Sequence, residues 1–197
     1  MDQSKAMEEI TFIKKVITDS QQIFVNNGRQ YILWSSLAIL GILLKYINDL
    51  TKISISALWI WIPILFIGWL STFILKKRFY KELPAKTFVQ KIFDGSWTAL
   101  AVAFPILCLV GFYTHAIQPW AVPSVIATIF GCGYFITGIL SDSLWIKLLA
   151  VCWWIFAIVM FLIPGEHSVP LLGLMLILFQ LIPGILIYVR WKKKTGI

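Results

Sequence analysis

The sequence predicts an all-α, polytopic membrane protein: a bundle of six transmembrane helices arranged as three hairpins, preceded by an amphipathic N-terminal helix. Composition comes first. Hydrophobic residues make up 59% of the 197 and charged residues 13%, about half the roughly 25% charged share of soluble domains. The apolar residues then fall into six runs, roughly 30–48, 55–75, 97–117, 120–140, 144–164 and 168–190, each close to the ~20 residues that carry a helix across a bilayer. Continuous apolarity separates these runs from barrel strands, which alternate apolar and polar positions over about ten residues.

Residues 1–28 form the segment ahead of the first span. Ala6, Ile10, Ile13, Ile17 and Phe24 recur at helical spacing, with Glu8, Glu9, Lys14, Lys15 and Asp19 largely off that stripe. Ser4 suits an N-cap. Asn26-Asn27-Gly28 suits a stop, since Asn and Gly tolerate the left-handed conformation that ends helices. No short apolar core precedes a small-residue cleavage site, so a cleavable signal is not expected here.

The six-helix domain is assigned to 29–191 and a basic tail to 192–197. Its short outer loops pair the first span with the second, the third with the fourth and the fifth with the sixth. "YFITGIL" (134–140) and "QLIPGIL" (180–186) are near echoes, consistent with a parallel repeat of two hairpins.

Orientation follows from the 17 Lys and Arg. With the N-terminus in the cytoplasm, all of them except Lys45 and Lys52 fall on the inner side, as the positive-inside rule requires. Both termini are therefore expected inside. The inner loop "KKRFYKELPAKTFVQKIFDGSW" (76–97) alternates lysines with aromatic and aliphatic residues. Pro84 suits the start of a short helix there and Asp94-Gly95 its end. Lys76, Lys77, Arg78 and Lys81 are the candidate contacts to anionic lipid headgroups or to a protein partner. The net charge of +8 is accounted for by these headgroup-facing residues, with no nucleic-acid-binding signature. Trp34, Trp97, Trp145 and Trp191 mark inner span ends and Trp59, Trp61 and Trp120 outer ones.

Chemistry is sparse. No ionisable residue lies deep in a span, which removes support for proton-coupled pumps and voltage sensors. Cys108, Cys132 and Cys152 have no metal-type spacing. His115, Glu166 and His167 map to the outer side without a pattern that fixes ligands on one face, so neither metal nor cofactor is expected. Phosphate loops, dinucleotide fingerprints and serine-nucleophile motifs are missing from the sequence. An enzyme is not expected.

Four mid-span residues remain as candidate ligand contacts: Tyr134, Trp153, Trp154 and Gln180. Each places a polar atom where an indole, phenol or amide needs a partner. Pro183 also removes a backbone donor, freeing the carbonyl of Phe179.

"MEEITFIKKVITDSQQIF", "GRQYILWSSLAIL" and the closing "FQLIPGILIYVRWKK" resemble the two ends of uncharacterised small six-span bacterial inner-membrane proteins with an amphipathic N-terminal helix. The resemblance implies a membrane-embedded regulatory or sensory role and brings no catalytic residues. Because the conspicuous amphipathic and basic material faces inward, the sequence is read as a non-enzymatic regulatory, sensory or complex-forming protein. It would act through cytoplasmic-face contacts, alone or as a homo-oligomer, in a bacterial inner membrane. The alternative is a small-solute transporter or channel with a pathway inside the bundle or an oligomer.

Overall fold

A computed structural model describes the backbone of residues 3–53, 55–80 and 88–195; the side chains of 3–6, 8–9, 12–27, 76, 78–80 and 190–195 lie outside that description. All regular structure among these residues is helical. Six helices follow in order: α1 (Gln3–Thr51), α2 (Ala57–Tyr80), α3 (Phe88–Tyr113), α4 (Pro119–Leu140), α5 (Leu144–Leu162) and α6 (Ser168–Val189), with helical backbone continuing to Thr195. Each contains a stretch long and apolar enough to cross a membrane, which in α1 is Gly28–Thr51 and in α2 Ala57–Leu75.

The stop expected at Asn26-Asn27-Gly28 does not occur. α1 runs through it as one helix of 49 residues, about 70 Å long at about 1.5 Å per residue. The glycine serves packing instead. A Cβ on Gly28 would stand 3.0 Å from the carbonyl oxygen of Gly184 and 3.1 Å from the amide nitrogen of Tyr188. Asp94-Gly95 likewise ends nothing, because α3 starts at Phe88 and passes straight through it. Of the stripe expected on the N-terminal segment, Ile10 is exposed, while Ala6, Ile13, Ile17 and Phe24 lie outside the described side chains, as Pro84 lies outside the described residues.

Of the three expected hairpins, α1 with α2 and α3 with α4 do pack together, while the third, α5 with α6, is corrected. The most extensive contacts join α4 to α5 and α1 to α6, while α5 and α6 meet mainly through long side chains. Small residues decide this, because helices in lipid associate where backbones approach closely. At the α4–α5 turn Ser143 N–H donates to the Gly138 carbonyl at 3.0 Å, Asp142 adopts φ 45°, and a Cβ on Gly138 would sit 2.9 Å from the Lys147 amide nitrogen. On α6, a Cβ on Gly184 would lie 3.0 Å from that of Tyr31. This end of the bundle, which holds Gly28 and Gly184, is called the Asp142 end; the other is the His115 end.

α2 packs mainly on α1, through a reciprocal arrangement of tryptophan and glycine. Trp61 of α2 covers Gly41 of α1, and Trp34 of α1 covers Gly68 of α2. The Trp34 indole N–H donates to Thr72 Oγ1 at 3.0 Å. In the last turn of α1, Asn48 clamps the connection to α2: its amide N–H donates to the Ile55 carbonyl at 3.1 Å and its amide oxygen accepts from the Ile55 N–H at 3.0 Å.

Two helices change pitch beside a proline. Ile106–Val110 follows Pro105 in α3, and Ile177–Leu181 precedes Pro183 in α6; both are π-helical turns, in which Gly111 N–H reaches the Ile106 carbonyl and Ile182 N–H the Ile177 carbonyl. Proline donates no hydrogen bond to the ladder. In α6 the wider turn also keeps the buried face aligned. Ser168, Leu172, Leu176, Gln180 and Gly184 are buried at four-residue steps, and each step overshoots a turn of about 3.6 residues by about 40°. The echo "YFITGIL" stays regular α-helix, so the two similar stretches do not share this geometry.

Candidate functional site

The interior of the bundle is built around a stack of aromatic rings contributed by α1, α3, α4, α5 and α6. Gly28, Tyr31 and Ser35 share one buried face of α1. The Ser35 hydroxyl donates to the Tyr31 carbonyl at 2.7 Å. The Tyr31 ring stacks on Tyr134 of α4 at 5.4 Å between centroids and 19° between planes, and Trp153 of α5 extends the stack from Tyr134 at 6.2 Å and 24°. Trp97 of α3 stands edge-on to both tyrosines, at 6.1 and 6.2 Å. Phe130 and Phe179 close on Trp153 at 5.1 and 6.2 Å. Pairs of this kind each add about 0.5–1.5 kcal/mol beyond burial.

Polar atoms within this stack divide sharply. The Trp97 indole N–H donates to Thr137 Oγ1 at 3.1 Å, and the Thr137 hydroxyl donates to the Gly133 carbonyl at 2.7 Å. By contrast, Tyr134 Oη and Trp153 Nε1 are buried with no hydrogen-bond partner among the described residues, as is Gln180 Oε1 on α6, while Tyr31 Oη has the Thr137 hydroxyl beside it. Tyr134 and Trp153 offer donors and Gln180 an acceptor. Each such unpaired group costs about 1–3 kcal/mol. Gln180 belongs to the π-helical turn of α6 and is 2% exposed.

Toward the His115 end an apolar layer of Ala127, Ala157, Met160, Leu172, Met175 and Leu176 covers the stack, every member at most 5% exposed. Beyond it Ser124 and Ser168 are buried with unpaired hydroxyls. The buried set of described residues contains no Asp, Glu, Lys, Arg or His. No group of three or more His, Cys, Asp or Glu capable of holding a metal ion occurs among the described residues.

Of the four ligand contacts expected from sequence, Tyr134 and Trp153 touch, and Gln180 is buried on α6. Trp154 does not join them. One position further around α5, it lies against Gly131 and Phe135, with its indole N–H directed to the Thr128 carbonyl at 3.3 Å. Lys77 is exposed near the end of α2. The side chains of Lys76 and Arg78, and the whole of Lys81, lie outside the described residues.

Sequence reasoning missed Tyr31 and misassigned Trp97 to an interfacial belt. The signal for Tyr31 was its spacing, three residues after Gly28 and four before Ser35, which sets all three on one helical face. Trp97 carried no such signal, because an indole near a span end is ordinary. Comparison with protein-family models, curated proteins and solved structures gives no match.

Proposed function

We propose that this chain is a multi-pass integral membrane protein with a non-enzymatic regulatory, sensory or complex-forming role, acting through contacts at its Asp142 end, which faces the cytoplasm of a bacterial cell. Its surface supports the membrane reading. Trp59, Phe66, Phe73, Leu144 and Leu162 are each more than two-thirds exposed, whereas Ser35, Ser124, Thr137 and Gln180 are buried. Water disfavours such an exterior and lipid favours it.

The continuity of α1 carries the functional reading. Residues 3–27 prolong the first apolar span without a break, reaching about 37 Å past it at about 1.5 Å per residue. The same helix enters the core through Gly28 and Tyr31. Whatever holds the N-terminal part is thereby coupled to the aromatic stack by one rigid rod. The basic residues Lys76, Lys77, Arg78 and Lys81 are placed by the charge rule on the same side, where anionic headgroups or an acidic partner surface suit them. Deleting residues 1–27 is expected to abolish partner co-purification while the remaining bundle keeps its thermal transition. Unchanged partners in the deletion would overturn the reading.

The unpaired polar atoms favour one alternative, a small-solute transporter with its site inside the bundle. Flux into proteoliposomes that disappears in Gln180→Leu would select it over the regulatory reading.

A further inference from the structure

We infer that the stretch of α1 projecting beyond the bundle, residues 3–20, pairs with the same stretch of a second copy of this chain as a parallel coiled coil. The inference rests on the membrane-embedded reading above, with the Asp142 end in the cytoplasm, and names one partner for the contacts proposed there. Four contacts fix how far α1 outruns the other helices. Trp34 bonds Thr72 of α2, the Tyr31 ring meets Trp97 of α3 and Tyr134 of α4, and a Cβ on Gly28 would stand 3.1 Å from the Tyr188 amide nitrogen of α6. Counted along each helix from those contacts at about 1.5 Å per residue, Tyr80, Phe88, Asp142 and Thr195 fall level with about residues 26, 22, 23 and 21 of α1. Among the described residues α1 alone continues past that level, for about 27 Å. Its described side chains there are exposed, Met7 at 68% and Ile10 at 48%.

The residue pattern of this stretch is that of a coiled-coil seam. Ala6, Ile10, Ile13 and Ile17 follow one another at steps of four, three and four residues, which puts Ile10 and Ile17 at heptad position a and Ala6 and Ile13 at position d. The next d position holds Ser20, so the seam ends where the rest of the bundle begins. Glu9 then falls at g and Lys14 at the e position of the following heptad. Five residues apart, they do not face each other on one helix. Across a parallel pair they do, because g of one chain lies beside the next e of the other. Membrane insertion gives every copy the same orientation, so a symmetric pair presents the two stretches parallel and in register. A seam of about two heptads is short for a free coiled coil; confinement of both copies to one membrane raises its effective concentration. A bilayer surface suits the stretch less well. α1 leaves its span as one continuous helix, which carries the stretch away from the bilayer. The stretch also holds three lysines against three acidic residues, whereas helices lying on anionic lipid are rich in Lys and Arg.

The test uses the full-length protein in vesicles of phosphatidylcholine and phosphatidylglycerol, with single added cysteines and copper phenanthroline as oxidant. Cys108, Cys132 and Cys152 lie within the spans, and the parent chain gives their background. Ile10→Cys and Ile13→Cys are expected to form covalent dimers at least tenfold more than Lys15→Cys, which sits at heptad position f on the far side of the helix. Glu9→Lys should lower dimer formation by Ile10→Cys about fivefold, and adding Lys14→Glu should restore it, with the thermal transition of the bundle unchanged throughout. Absence of covalent dimer at Ile10 and Ile13, equal cross-linking at Ile10 and Lys15, or a charge exchange that Lys14→Glu does not rescue would overturn the inference. Quenching of a fluorophore on Ile10→Cys by headgroup-labelled lipid also overturns it, because the stretch then lies on the bilayer. Deletion of 1–27 reads the regulatory proposal separately. Loss of other co-purifying proteins without cross-linking sinks the coiled coil alone, whereas cross-linking with those proteins unchanged upholds the coiled coil and sinks the contact with other proteins.

Discussion

Gly184 of α6 occupies the side-chain space of Gly28 of α1, and Tyr31, one turn along α1, occupies that of Gly184. The Cβ that alanine would add at Gly28 falls 3.0 Å from the Gly184 carbonyl oxygen, and the one added at Gly184 falls 3.0 Å from Tyr31 Cβ. Main-chain atoms have no rotamer to change, so the neighbours cannot turn aside. Gly28→Ala is therefore expected to destabilise the bundle by about 1–3 kcal/mol, although glycine to alanine inside a helix ordinarily gains about 1 kcal/mol. A thermal melt in detergent gives the sign. A raised transition temperature would show that the two helices are free to separate.

Gly95 provides the opposite case on α3. No atom lies within 4 Å of its would-be Cβ, so only the helix-propensity gain remains. Gly95→Ala is expected to raise stability by about 0.5–1 kcal/mol. A fall in the transition temperature, measured beside that of Gly28→Ala, contradicts the open surroundings of this glycine.

The α1–α2 contact depends on indoles seated over glycines. Alanine at position 68 would place its Cβ 2.7 Å from Trp34 Cη2, and Trp34 is fixed by its bond to Thr72 at 3.0 Å. Gly68→Ala should displace the indole and lose that bond, costing about 1–3 kcal/mol. The 19F resonance of Trp34 in fluorotryptophan-labelled protein, assigned by its loss in Trp34→Phe, should shift on the substitution. An unshifted spectrum at unchanged stability rules this out.

Unpaired and paired polar groups within the stack should respond with opposite signs. Tyr134→Phe removes a buried hydroxyl that has no partner and is expected to stabilise the ligand-free protein by about 1 kcal/mol. Trp97→Phe removes a donor bonded to Thr137 at 3.1 Å and is expected to destabilise by about 1 kcal/mol. Chemical or thermal unfolding of both variants without added ligand decides. Destabilisation by Tyr134→Phe means that its hydroxyl is satisfied.

How far the sequence reached is best seen in two neighbouring residues. Trp153 and Trp154 are both indoles in the middle of one apolar run, and nothing local separates them. They point about 100° apart on the helix, and only the surrounding helices put one in the stack and the other against Gly131. Tyr134 and Gln180 were legible because a phenol and an amide in the middle of an apolar span stand out. Their lack of partners was not, because it depends on what the other helices bring.

The six spanning-length helices were determined by the sequence alone, since backbone polar groups within a long apolar run are satisfied by helix formation inside the run itself. Only the tertiary structure decided how they pair. Short connections suggested three consecutive hairpins, of which the first two form, but small residues carried the most extensive pairings: Gly28 with Gly184, and Gly138 beside Lys147, bring α1 to α6 and α4 to α5. Glycine near an asparagine pair reads as a helix end until a partner helix is present to fill the space its missing side chain leaves. Filling that space kept α1 continuous and carried Tyr31 into the core.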